Sequence, residues 1–197
     1  MSLGLLFTVL GIIAVAELPD KTMIATLVMG SRNRPVLVWA GASGAFAVHV
    51  AAAVAAGRLL ELVPHRSLEI VTTVLFAVGA VYLLAVSERR ETEKGQREGD
   101  IEVVPPVPWR VVAAAFGVIL VGELGDLTQL LVVNFEAKYH QPLAVGIGAL
   151  AGLVGISAAG AFGGRALLRV LPVTIIRRIG GLALVGFTAY GIYALVS

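Results

Sequence analysis

Apolar residues along this chain fall into six stretches long enough to cross a bilayer, near 4–29, 36–58, 67–87, 110–134, 142–163 and 172–196. About 20 residues at a rise of roughly 1.5 Å span a hydrocarbon core of about 30 Å. The breaks "SRNRP", "ELVPHRS", "EAKYHQP" and "RVLP" carry the proline and charge that stop an apolar helix. The pattern predicts an all-α membrane protein of six transmembrane helices, with little chain left for a soluble domain. Composition points the same way, with 58% hydrophobic and 14% charged residues and a mean hydropathy of +0.92.

The pattern also repeats. "GIIAVAELPDKT" from Gly11 aligns with "GVILVGELGDLT" from Gly117, an offset of 106 residues. After a slip of one residue, Gly41-Ala42 pairs with Gly148-Ala149 and Gly57-Arg58 with Gly164-Arg165. A duplication of three spans makes the second copy enter the membrane from the opposite face. Two inverted-topology three-helix repeats are therefore expected, at 1–87 and 110–197, joined by a charged linker at 88–109. The linker's mixed charge and terminal prolines predict a solvated, flexible segment without chemistry of its own.

Charge sets the orientation. With six spans, one side of the membrane holds Arg58, Arg66 and Lys138, three basic residues, and also both chain ends. The other side holds Arg32, Arg34, Arg89, Arg90, Lys94, Arg97, Arg110, Arg165, Arg169, Arg177 and Arg178, eleven in all. By the positive-inside rule the second side is cytoplasmic and both termini face out. The arginine-rich, Ala/Val/Gly-rich composition points to a GC-rich bacterial genome, and the bacterial plasma membrane is the expected location. The triplet Ala14-Val15-Ala16 resembles a signal-peptide cleavage site, but a positive flank is missing and the segment has an internal counterpart, so it is expected to stay. There are no cysteines, which excludes disulfides and thiolate metal sites.

Against this apolar background stand Glu17, Asp20, Lys21, Glu123 and Asp126, near the centres of spans one and four. Each costs about 2.5–3.5 kcal/mol at a helix centre, together on the order of 12–17 kcal/mol, so something must offset them. Mutual pairing is one answer, but a single lysine cannot balance four acids. Glu and Asp at i and i+3 share one helix face and can aim at a common point. Pro19 stands between them in one copy and Gly125 in the other, which predicts spans broken near the membrane centre, with carbonyls freed toward the site. If both clusters meet at the midplane, the result is an oxygen-lined cation cage. Carboxylates, the hydroxyls of Thr22 and Thr128, the Gln129 amide and free carbonyls suit Mg²⁺, Ca²⁺ or Mn²⁺. Met23 and Met29 read as packing residues. His49 reads as an interior residue that favours Mn²⁺ over Ca²⁺ if it faces the site. Ser43 and Ser157 are candidates for lining a pathway, although bonding to helix backbone is the simpler duty. The glycines around Gly41 and in "GALAG" read as close helix contacts.

The twin motifs "ELPDKT" and "ELGDLTQ" resemble the paired Glu-x-Gly-Asp-Lys/Arg-Thr/Ser signatures of the Gdt-type Ca²⁺/Mn²⁺:proton antiporter family, which includes MneA-like bacterial manganese exporters. The resemblance covers nearly the whole chain. It implies Glu17, Asp20, Thr22, Glu123, Asp126, Thr128 and Gln129 as metal ligands, and Lys21 as a gating or charge-balancing residue. Pro19, Met23 and Leu127 depart from the pattern, so the two halves are electrically unequal. The expected function is a secondary transporter, not an enzyme: Mn²⁺, or next Ca²⁺, leaves the cytoplasm in exchange for protons, with no resident cofactor and no nucleic-acid partner. Two rivals are an intramembrane metal-dependent hydrolase and an exporter of small cationic solutes. A homodimer is compatible with the pattern.

Overall fold

A computed structural model describes residues 2–17, 20–60, 64–85, 93, 96–100, 107–170 and 173–196, and all regular structure among them is helical. Pro19 and most of the 88–109 linker lie outside the described residues. The helices are α1 (Leu3–Glu17), α2 (Lys21–Arg32), α3 (Pro35–Leu59), α4 (His65–Ala85), α5 (Pro108–Gly122), α6 (Leu127–Tyr139), α7 (Pro142–Val170) and α8 (Val173–Val196).

Local chemistry sets these limits. Pro35, Pro108 and Pro142 open α3, α5 and α7, where a missing amide costs nothing and the fixed φ already suits a helix. Asp126 caps α6, its Oδ1 accepting from the Leu127 amide at 2.7 Å. Helix α6 ends at His140, whose φ of 51° turns the chain into the left-handed region just before Gln141-Pro142.

Helix α3 and residues Pro142–Gly163 of α7 are each long and apolar enough to cross a membrane. Two further spans arise if each bent pair counts as one, α1 with α2 at 74° and α5 with α6 at 72°. Much of the outer surface is apolar, including Phe7, Val48, Val78, Val121, Leu143 and Leu182, as expected of a face that meets lipid rather than water.

The packing crosses between the halves. Helices α1 and α2 lie against α7, α5 and α6 lie against α3, and α4 pairs with α8. The two copies make equivalent contacts: a Cβ on Gly41 would collide with the Val112 carbonyl, and one on Gly148 with the carbonyl of Leu6, 106 residues earlier than Val112. Glycine lets these backbones touch. Gly41→Ala is therefore expected to destabilise the protein by about 1–3 kcal/mol, the cost of overpacking where a backbone must move. A thermal melt in detergent checks this, and an unchanged midpoint would contradict it.

The linker differs from its expected character at one place. Residues 96–99 form a helical turn, with Gly99 buried against Ala25 and Val28, and Asp100 pairs with Arg32 at 2.5 Å. A glycine fits against α2 where a side chain would not, and the ion pair holds the turn there.

Candidate metal centre

Each bent pair breaks at its acidic motif, and the acids stand at equivalent places in the two. Glu17 ends α1 and Glu123 follows the last turn of α5, while Asp20 and Asp126 precede α2 and α6. The Asp20 amide donates to the Glu17 carbonyl at 2.8 Å, and the Asp126 amide to the Glu123 carbonyl at 3.3 Å. Regular helix then resumes, with the Ile24 amide bonded to the Asp20 carbonyl and the Leu130 amide to that of Asp126. At the second break Gly125 has a φ of +74°, a conformation that favours glycine.

The geometry brings the four acids together. One carboxylate oxygen from each of Glu17, Asp20, Glu123 and Asp126 lies within 4.8 Å of the others. Hydrogen bonds tie them across the two halves: Thr128 Oγ1 donates to Glu17 Oε1 at 2.5 Å, and Thr22 Oγ1 donates to Glu123 Oε1. Each glutamate is thus held by the threonine of the other copy. Glu17 and Glu123 are buried, and Glu17 Oε2 has no hydrogen-bond partner among the described residues. A buried carboxylate oxygen without a partner is costly, and a cation or a proton would satisfy it. Lys21 supplies one positive charge, its Nζ 3.6 Å from Asp126 Oδ2.

Beside the acids lies a cavity of about 20 Å³, lined by Glu17, Glu123, Thr128, Gln129, His49 and apolar side chains including Phe46, Val132 and Leu153. By the measure in which a water needs about 10–15 Å³, it has room for one water or one dehydrated ion. His49 therefore does face the site, yet both its ring nitrogens are engaged, Nε2 with the Leu120 carbonyl at 3.0 Å and Nδ1 with Gln129 Nε2 at 3.4 Å. Neither Ser43 nor Ser157 lines this cavity. The Ser157 hydroxyl bonds to the Val154 carbonyl at 3.0 Å, whereas Ser43 Oγ is buried without a hydrogen-bond partner among the described residues. Met23 and Met29 are both buried in the helix packing.

Glu136 escaped the sequence reading, which placed it in a break between spans. It lies inside α6, buried, with Arg58 Nε 3.8 Å from its Oε1. The signal was its spacing: Thr128, Val132 and Glu136 recur at every fourth position and share one face of α6.

The sequence pattern of divalent cation/proton antiporter GDT1 matches this chain twice, over residues 5–91 and again over 111–197. The chain belongs to the GDT1 family. Among its relatives, a GDT1-like protein of Synechocystis sp. is 25% identical over 182 residues, covering 87% of this chain and 88% of that one. GDT1-like protein 3 of Arabidopsis thaliana is 24% identical over 201 residues, with 93% of this chain and 68% of the relative covered. The chloroplastic protein PAM71 of the same plant is 26% identical over 203 residues, which cover 92% of this chain but only 55% of PAM71. No solved structure matches the chain. Members of the GDT1 family exchange divalent cations for protons and are not enzymes, which sets aside the hydrolase and organic-cation readings. The four-acid cluster is compatible with that exchange.

Proposed function

We propose that this GDT1 protein exports Mn²⁺ from the cytoplasm of a bacterium in exchange for protons, with Ca²⁺ as the chief competing substrate. The observation that carries the reading is the cluster of four carboxylates contributed equally by the two halves, each glutamate held by a threonine of the opposite half. Its ligands are Glu17, Asp20, Glu123 and Asp126, with Thr22, Thr128 and Gln129 around them and Lys21 balancing charge. Ca²⁺ takes about 6–8 oxygens and Mg²⁺ dehydrates reluctantly. The cavity that Glu17 and Glu123 line has room for about one water, which favours a smaller ion than Ca²⁺ and a more readily stripped one than Mg²⁺.

The membrane arrangement in this reading is six spans in two inverted triplets, α1–α4 and α5–α8, with the cage at the midplane, both termini outside and the linker cytoplasmic. Equivalent breaks, equivalent glycine contacts and the 11-to-3 distribution of basic residues support it. A cavity of about 620 Å³ between α1, α4, α6 and α8 includes Leu5, Thr8 and Ile12 and stops five residues short of Glu17. It suits a route from the outer side. On the other side, the turn at 96–99 sits against α2.

Metal ligands must be deprotonated, so an arriving cation displaces protons and arriving protons displace the cation. Rocking of one triplet against the other would then expose the loaded cage to each side in turn. The direct test adds Mn²⁺, Ca²⁺ or Mg²⁺ to purified protein in weak buffer and records pH. Saturable acidification is expected at lower Mn²⁺ than Ca²⁺ concentration, with little response to Mg²⁺. No acidification with any of the three would overturn the proposal, and a stronger response to Ca²⁺ would reverse the substrate order.

A further inference from the structure

The break between α5 and α6 leaves backbone groups without helical partners, and two side chains take them up. In an unbroken helix the Leu124 amide would serve the Leu120 carbonyl, but it goes to Val121 instead, at 3.4 Å. The Leu120 carbonyl accepts from His49 Nε2 at 3.0 Å. On the far side of the break, the Gly125 amide donates to Gln129 Oε1 at 2.9 Å, and Gln129 Nε2 meets His49 Nδ1 at 3.4 Å. These contacts are mutually consistent: a carbonyl only accepts, so Nε2 carries the hydrogen and Nδ1 is free to receive the amide's. His49 and Gln129 form one clamp joining the end of α5, the left-handed turn and the start of α6. Glu123 and Asp126 flank Gly125, inside the clamped stretch.

The first break, between α1 and α2, has no residue in the sequence that could build this device. The position equivalent to Gly125 is Pro19, which has no amide to donate. The position equivalent to Gln129 is Met23, and that of His49, by the register that pairs Gly41 with Gly148, is Ile156. Where the amide is absent, its acceptor and the acceptor's partner are apolar. Three positions changing together in this way suit a unit better than three independent packing choices.

We propose that His49 is a positioning residue for the metal: through Gln129 and the Leu120 carbonyl it holds the second break in the shape that presents Glu123 and Asp126 to the cation. This rests on the antiporter reading of the site. Because both ring nitrogens are occupied, His49 acts by holding ligands rather than by coordinating.

The test compares His49→Leu, His49→Gln, Gln129→Met and the double variant His49→Leu/Gln129→Met with the parent protein. Two readouts are used: metal affinity by calorimetry with MnCl₂ and CaCl₂, and amide hydrogen exchange at Gly125 without metal. His49→Leu is expected to weaken Mn²⁺ and Ca²⁺ binding by the same factor, about 10-fold or more, the usual effect of losing a group that orients metal ligands. His49→Gln, which keeps a donor and an acceptor, recovers part of the loss. The double variant is no weaker than the worse single one, because the two residues act as a unit. Exchange at Gly125 accelerates in His49→Leu and Gln129→Met. A loss confined to Mn²⁺ would make His49 a ligand and overturn the proposal, since a ring nitrogen binds a transition-metal ion such as Mn²⁺ more readily than it binds Ca²⁺, which takes oxygen ligands. Unchanged affinity together with unchanged Gly125 exchange would overturn it too. If the parent protein binds neither metal, the antiporter reading of the site fails, while Gly125 exchange still judges the clamp by itself.

Discussion

Glu17→Gln is expected to weaken Mn²⁺ binding by about 100-fold or more and to abolish metal-driven proton release. Removing a group that merely orients a ligand costs about 10–100-fold in metal affinity, so removing a ligand lies at or beyond that upper end. The substitution is chosen to leave the fold alone. Glutamine keeps the volume and still offers an oxygen to the Thr128 hydroxyl, which holds Glu17 at 2.5 Å. It removes the charge and the buried Oε2 that has no hydrogen-bond partner among the described residues. Glu123→Gln should match it closely, because Thr22 holds Glu123 from the opposite half in the same way. Calorimetry with MnCl₂, and pH recording on the same sample, measure both effects. A Glu17→Gln protein that retains Mn²⁺-driven proton release within about threefold of the parent would remove this carboxylate from the ligand set, given the size of effect expected of a ligand.

The contrast between the two glutamates and their surroundings shows what could be read from the chain and what could not. The acids were legible because two features coincide: an i, i+3 pair on an apolar background, and the same pair 106 residues on. A helix breaker inside each motif also announced the bends at 74° and 72°. The exchange of threonines between halves was hidden, because Thr22 with Glu123 and Thr128 with Glu17 are contacts more than 100 residues apart. Local periodicity says nothing about such pairs. His49 was visible only as a lone histidine in span two. Its importance depends on an orphaned carbonyl at Leu120, which exists only because the helix stops there. The linker was misread in part for the opposite reason. Its composition predicts a solvated segment, and cannot show that Gly99 fits the surface of α2 or that Asp100 finds Arg32.

Lys21 carries the second large effect, and its sign discriminates between two roles. Its Nζ lies 3.6 Å from Asp126 Oδ2, close to where a cation held by the four acids would sit. An ammonium there stands in for part of the metal's charge and must yield when the metal arrives. Unit charges about 4 Å apart interact by about 4 kcal/mol at an effective dielectric near 20. With the two side chains 19% and 27% exposed, water screens part of that. Lys21→Met is therefore expected to tighten Mn²⁺ binding by about 10-fold or more, still a small part of the unscreened figure. Charge balance adds a second signature. Without the ammonium, protons must neutralise more of the metal-free cluster, so more protons leave for each Mn²⁺ bound. Tighter binding then slows release, and turnover in vesicles falls although affinity rises. If Lys21 instead serves mainly to hold Asp126 in place, Lys21→Met weakens Mn²⁺ binding and leaves the proton count unchanged. The second half carries Leu127 at the equivalent position, so by the relation that sets Lys21 against Asp126 of the other half, Leu127→Lys would bring an ammonium toward Asp20. A surrogate cation at either motif should compete with the metal, so this variant is expected to bind Mn²⁺ more weakly than the parent, the mirror image of Lys21→Met.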